Sequence, residues 1–183
     1  MNNKHTTFKA LLFPVIIVFA LLASCGRSTP DQLFQTTILN TNILHGFGSE
    51  RFTKSLHDET VEFPDVPASK KNGNEAQQVV EAKIAYIEQT IKRIEESGAP
   101  DDEGEMIKQK SLELFNYALP VYKKEYLALA TMCDKKQPEK EIHDASAHII
   151  QTYGPAFEEK YVHLIDLGEQ YALKHNINAS FGK

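Results

Sequence analysis

The chain has 183 residues, with 25 acidic against 20 basic side chains and a formal net charge of −5. That balance argues against nucleic acid and anionic lipid surfaces as electrostatic partners. Two cysteines, Cys25 and Cys133, are too few for a disulfide framework, and the length suits one domain with a buried core.

The N-terminus carries Lys4 and Lys9 and no acid, followed by an apolar run from Ala10 to Leu22 that only Pro14 interrupts. The run is about 13 residues, the length of a signal-peptide core. A membrane-spanning helix needs roughly 20 apolar residues, and Ser24, Gly26 and Arg27 end this one too early. Leu22-Ala23-Ser24-Cys25 reads as a lipobox: small side chains at Ala23 and Ser24 give a peptidase access to the bond before Cys25, whose thiol then takes a diacylglyceryl thioether. Residues 1–24 are therefore expected to be a lipoprotein signal peptide, and residues 25–29 the lipidated cysteine and a short tether. Acyl chains buried at about 0.8 kcal/mol per methylene make such anchoring effectively permanent, with the bilayer as partner through Cys25. Cleavage leaves 159 residues, and the loss of Lys4 and Lys9 takes the formal charge to about −7. Gly26-Arg27-Ser28-Thr29 lacks the acidic residues expected of inner-membrane retention or surface export. The expected location is the cell envelope, at the outer membrane facing the periplasm, with surface exposure as the alternative.

Thr29-Pro30-Asp31-Gln32 combines an N-cap threonine, proline at the first helical position and glutamine three residues on, which predicts a helix from Pro30. About five residues separate it from Cys25, a reach of at most roughly 18 Å, so the domain sits close to the bilayer. Its stripe of Leu33, Phe34, Thr37, Ile38, Thr41 and Leu44 is weakened by threonine and asparagine. Residues 46–73 hold Gly46, Gly48, Pro64, Pro67 and Asn72-Gly73. Here the first helix either continues or restarts at Ser49, with Phe52 and Leu56 on one face. A loop is expected near 59–71, pinned to the body by Phe63 or Val66.

Val80, Ile84, Ile87, Ile91 and Ile94 alternate spacings of four and three, the stripe of a packed second helix that Asn74 caps and Gly98 stops. Glu88 and Lys92 form an i, i+4 pair on its outer face. A third helix follows Asp101-Asp102-Glu103 and runs to about Cys133. A fourth runs from Pro138 to about Asn176. These two relate by an offset of 35: Ser111 with Ser146, Leu114 with Ile149, Phe115 with Ile150, Pro120 with Pro155, Tyr122 with Phe157, Tyr126 with Tyr161 and Leu129 with Leu164. Two prolines at matching sites predict two matching bends. Lys123-Lys124-Glu125 opposite Glu158-Glu159-Lys160 offers charges that pair across the seam. The aromatic positions are read either as core or as a ligand pocket at the bends, lined by Tyr117, Tyr122, Tyr126, Tyr153, Phe157 and Tyr161.

Familiar catalytic patterns do not occur. There is no His-Glu-x-x-His, phosphate-binding glycine loop, Gly-x-Ser-x-Gly or Cys-x-x-Cys. Glu139 to His143, Asp144 to His148 and Glu159 to His163 have the i, i+4 spacing of a metal clasp, which solvated helix faces also show. His143, His148, His163 and His175 lack the acid three residues earlier that a di-iron bundle requires. No catalytic residue, metal site or cofactor is expected, and Cys133 reads as a small buried side chain.

Phe115-Asn116-Tyr117, the Glu125-Tyr126 step and Tyr171-Ala172-Leu173-Lys174-His175-Asn176, set on long amphipathic helices over roughly residues 75–177, resemble a family of small bacterial surface lipoproteins. That family occurs in spirochaetes and Bacteroidetes-type bacteria and has no established activity. The resemblance implies a helical-bundle envelope lipoprotein and lends no catalytic residues. The expected fold is all-α, an elongated up-and-down bundle of about four helices over residues 30–177, followed by a tail at 178–183. The expected function is a non-catalytic binding module whose partner is another envelope protein, not nucleic acid. The alternative is a periplasmic carrier of a small ligand or metal, using the pocket at the bends.

Overall fold

The computed structural model describes residues 27–180, so the signal segment, the lipobox and Cys25 lie outside the described residues. The described chain is all-helical, with no strand. Its α-helices are α1 (Pro30–Thr37), α2 (Glu50–Glu59), α3 (Glu75–Glu96), α4 (Asp102–Val121), α5 (Leu127–Asp134) and α6 (Glu139–Lys174). A π turn at Tyr122–Tyr126 joins α4 to α5 without a break, which makes five helical rods among the described residues. No helix among the described residues is long and apolar enough to cross a membrane.

The start of α1 is set locally. Thr29 accepts from the Gln32 N–H at 3.2 Å, and Gln32 accepts from the Thr29 N–H at 3.0 Å, a complete capping box. The threonines and asparagine then bond back onto their own helix. Thr37 donates to the Leu33 carbonyl, Thr41 to that of Ile38 and Asn40 to that of Thr36, and the chain tightens into a 3-10 segment at Leu39–Leu44. A new helix then starts after Ser49, and Phe52 and Leu56 are its buried residues.

The stripe on α3 faces the core: Val80, Ile87, Ile91 and Ile94 are buried, and Ile84 is partly so. Its N-terminus is capped differently from expectation. Asn74 makes no side-chain cap bond. Instead Asp134, at the end of α5, accepts from the backbone N–H groups of Ala76 and Gln77, each at 3.0 Å, and from the Gln77 amide. These donors have no partner within the helix, and a buried carboxylate 58 residues away meets them. On the outer face Glu88 pairs with Lys123 at 2.6 Å and Lys92 with Glu96 at 3.8 Å, so the expected Glu88–Lys92 pair is not made.

The matched prolines do not give matched local structure. Pro120 cannot donate to the ladder, and the rod takes up the π turn just beyond it. At Pro155 the helix α6 continues as α-helix on both sides. The inverted charges also find other partners: Lys123 takes Glu88, Lys124 takes Glu125 at 3.1 Å, and Lys160 lies over the Tyr117 ring.

The loop after α2 is folded on itself rather than pinned by a large side chain. Ser69 accepts from the Phe63 N–H and contacts the carbonyls of Phe63 and Val66, while Glu62 accepts from the Lys71 N–H. Phe63 and Val66, expected as anchors, are 60% and 49% exposed. These short polar bonds hold the loop's shape without burying either residue.

Candidate functional site

The six aromatic positions read from the sequence gather in one region as packed side chains. Tyr122 and Tyr126 stack at 4.8 Å between ring centroids, and Phe52 meets the Tyr126 ring edge-on at 4.9 Å. Phe47, from the turn before α2, inserts among them and stacks on Phe157 at 4.3 Å. Tyr117 donates to the Tyr153 carbonyl at 3.1 Å, and Tyr161 stacks beside Phe157. Tyr122, Tyr126 and Phe157 are buried; Tyr117, Tyr153 and Tyr161 are partly exposed. A cavity of about 150 Å³ here is lined by Phe157 and Tyr161 of the six, and Tyr161 also borders a hollow of about 290 Å³ beside Ile38 and Ile165. Phe47 packs against Tyr117, Tyr122, Tyr126 and Phe157.

Gly48 makes this insertion possible. It has φ of +63°, and a Cβ on it would stand 2.9 Å from the Gly154 Cα. Two glycines face to face let the turn lie directly on α6. The Gly48 N–H then donates to the Tyr126 hydroxyl at 2.8 Å. Burial pushes the Tyr126 phenol up to about 12, although that bond pulls it the other way. Burial, and then its neighbour Tyr126, push Tyr122 well above the ordinary phenol range, and its hydroxyl has no hydrogen-bond partner. Lys83 completes the region. Its amine lies 5.0 Å from the Phe52 ring centre and donates to the Ile43 carbonyl at 2.7 Å, and burial lowers its pKa.

A larger opening lies elsewhere. The 61–70 loop, the end of α2 and the turn from α5 into α6 enclose a cleft of about 670 Å³, within the range of ligand-binding cavities. Its floor holds the buried Thr60, Cys133 and Ile142. Its mouth is formed by exposed Phe63, Pro64, Val66 and Pro67, and its rim by His57, Glu62, Lys70, Lys136 and Glu139. Two structural devices hold the walls. Lys136 adopts φ of +50° at the end of α5, where the Gln137 N–H closes onto the Met132 carbonyl at 3.1 Å. Its amine also reaches Glu62 across the cleft at 3.7 Å. A second, shallower hollow continues along α2 and α6 and shares His57, Glu139 and Ile142 with the first.

Cys133 sits in the floor with its thiol pushed up to about 11 by burial and then by Asp134. It is therefore a protonated, weakly nucleophilic group at neutral pH. Among the described residues no three His, Cys, Asp or Glu side chains are grouped as a metal ion requires. The cleft thus offers shape, apolar surface and a charged rim.

The sequence reading passed over this cleft because its apolar residues stand in a loop, where they read as anchors. The usable signal was the pair Phe63-Pro64 and Val66-Pro67. A residue before proline is held extended, which keeps Phe63 and Val66 out of a helix that could turn them onto the core. Comparison with protein-family models, curated proteins and solved structures found no match to this chain.

Proposed function

We propose that the mature protein is a cell-envelope lipoprotein, anchored by acylated Cys25 and built as an up-and-down helical bundle, that binds another envelope protein through the cleft beside the 61–70 loop. The observation that carries the binding reading is the exposure of Phe63 and Val66 at the mouth of a 670 Å³ opening with a buried floor. An apolar centre within a rim of mixed charge is the make-up of a protein recognition patch. The rim carries Lys70 and Lys136 alongside Glu62 and Glu139, so a partner meets neither sign in excess.

Chemical cross-linking on intact cells tests the reading. The tagged wild-type chain should give a discrete higher-mass adduct, and the double variant Phe63→Glu, Val66→Glu should lose it. Both positions are exposed, so the variant should keep its helicity by circular dichroism. An adduct of the same mass and yield from the double variant would remove the cleft from the binding surface.

A further inference from the structure

The ends of the rods sort into two poles. At one, the Ser28 N–H donates to the Gly98 carbonyl at 2.9 Å, just past the end of α3. The end of α6 lies at the same pole: Lys174 reaches Glu103 at 2.8 Å, and His175 reaches Asp101 at 3.3 Å. At the other pole Asp134 caps the start of α3, and Lys136 and Glu62 close the rim of the cleft. The 22 residues of α3 run between the two, and at 1.5 Å per residue they separate the poles by about 33 Å.

Cys25 precedes Ser28 by three residues, so the intervening chain keeps the Cys25 backbone within roughly 11 Å of Ser28, at the Ser28–Gly98 pole. The same pole displays Leu173, which at 81% is the most exposed of the large apolar side chains among the described residues. An exposed leucine suits the headgroup boundary, and Lys174 beside it offsets the Glu103 carboxylate at 2.8 Å.

Resting on the lipoprotein reading above, we infer that the pole formed by Ser28, Gly98 and Leu173 is the surface laid against the anchoring bilayer, and that the cleft opens at the far pole, toward proteins standing off that membrane. The occupant of the cleft is then a water-exposed protein segment. Lipid held in the anchoring leaflet is out of its reach.

Depth-dependent quenching tests this on the lipidated full chain, purified from bacterial membranes and reconstituted in phosphatidylethanolamine–phosphatidylglycerol vesicles with headgroup spin-labelled lipid. Fluorophores are placed at Leu173→Cys or at Asp65→Cys in a Cys133→Ala background; the Cys25 sulfur is consumed by its thioether. The expected result is that the probe at position 173 loses most of its emission while the probe at position 65 keeps its own. Equal quenching, or stronger quenching at position 65, in chains that float with the vesicles overturns the orientation and leaves the anchoring intact. Chains that do not float overturn the anchoring itself, and the orientation with it.

Discussion

Replacing Asp134 with alanine removes the acceptor for two backbone N–H groups at the start of α3, one of them buried, and for the Gln77 amide. Loss of a helix N-cap costs about 0.5–2 kcal/mol, and a buried donor left without a partner about 1–3 kcal/mol. The two N–H groups together put the expected loss at about 3 kcal/mol. At this chain length 1 kcal/mol moves Tm by about 2–4 °C, so the expected fall is roughly 6–12 °C. Asp134→Asn keeps one carbonyl oxygen able to accept from Ala76 and turns a donor toward Gln77, so it should fall between wild type and Asp134→Ala. Asp144→Ala, at an exposed carboxylate paired only along its own helix face, should leave the unfolding midpoint unchanged. Urea unfolding followed by circular dichroism reads all three variants. A loss below about 1 kcal/mol for Asp134→Ala would refute the argument that α3 depends on a cap from α5.

Three further outcomes follow from the same packing. Gly48→Ala should destabilise by more than about 2 kcal/mol, because a positive φ costs about 1–2 kcal/mol for an L residue and its Cβ meets the Gly154 backbone at 2.9 Å. Gly73→Ala, at φ of +86° with nothing within 4 Å, should show only the backbone cost; equal losses at the two sites would contradict the close approach. Tyr122→Phe should be neutral or stabilising by about 1 kcal/mol, since it removes a buried hydroxyl without a partner. Tyr126→Phe should cost about 1 kcal/mol by stranding the Gly48 N–H. Stability should also fall at alkaline pH. Cys133 is raised from 9.0 to about 11, and Tyr126 and Tyr171 from 10.0 to about 12. The folded chain therefore holds protons that the unfolded chain releases, so their contribution is complete below about pH 9 and is lost as pH rises toward 12. Urea midpoints at pH 8, 10 and 11 should decline in that order, and a flat profile would contradict the burial of these groups.

Local signals were legible in the sequence and distant ones were not. The capping box at Thr29 and Gln32 and the isoleucine stripe of α3 each lie within one element, so spacing alone identifies them. The cap from Asp134 comes from another rod, and no pattern around Asn74 points to it. The six aromatic positions lie near one another, and what packs between them is Phe47, carried by a turn that lies on α6 where Gly48 meets Gly154. Phe63 and Val66 were misplaced because hydrophobicity measures the cost of exposure, while the loop's own bonds through Ser69 and Glu62 decide the position. The matched prolines did not carry matched local structure: a π turn follows Pro120, while α6 runs on as α-helix through Pro155.

The intact mass of the chain isolated from bacterial membranes tests the anchoring that the proposed function requires. The expected result is an N-terminus at Cys25 with a mass raised by a diacylglyceryl group on its sulfur. A chain that retains residues 1–24, or one that begins at Cys25 with a free thiol, would contradict it.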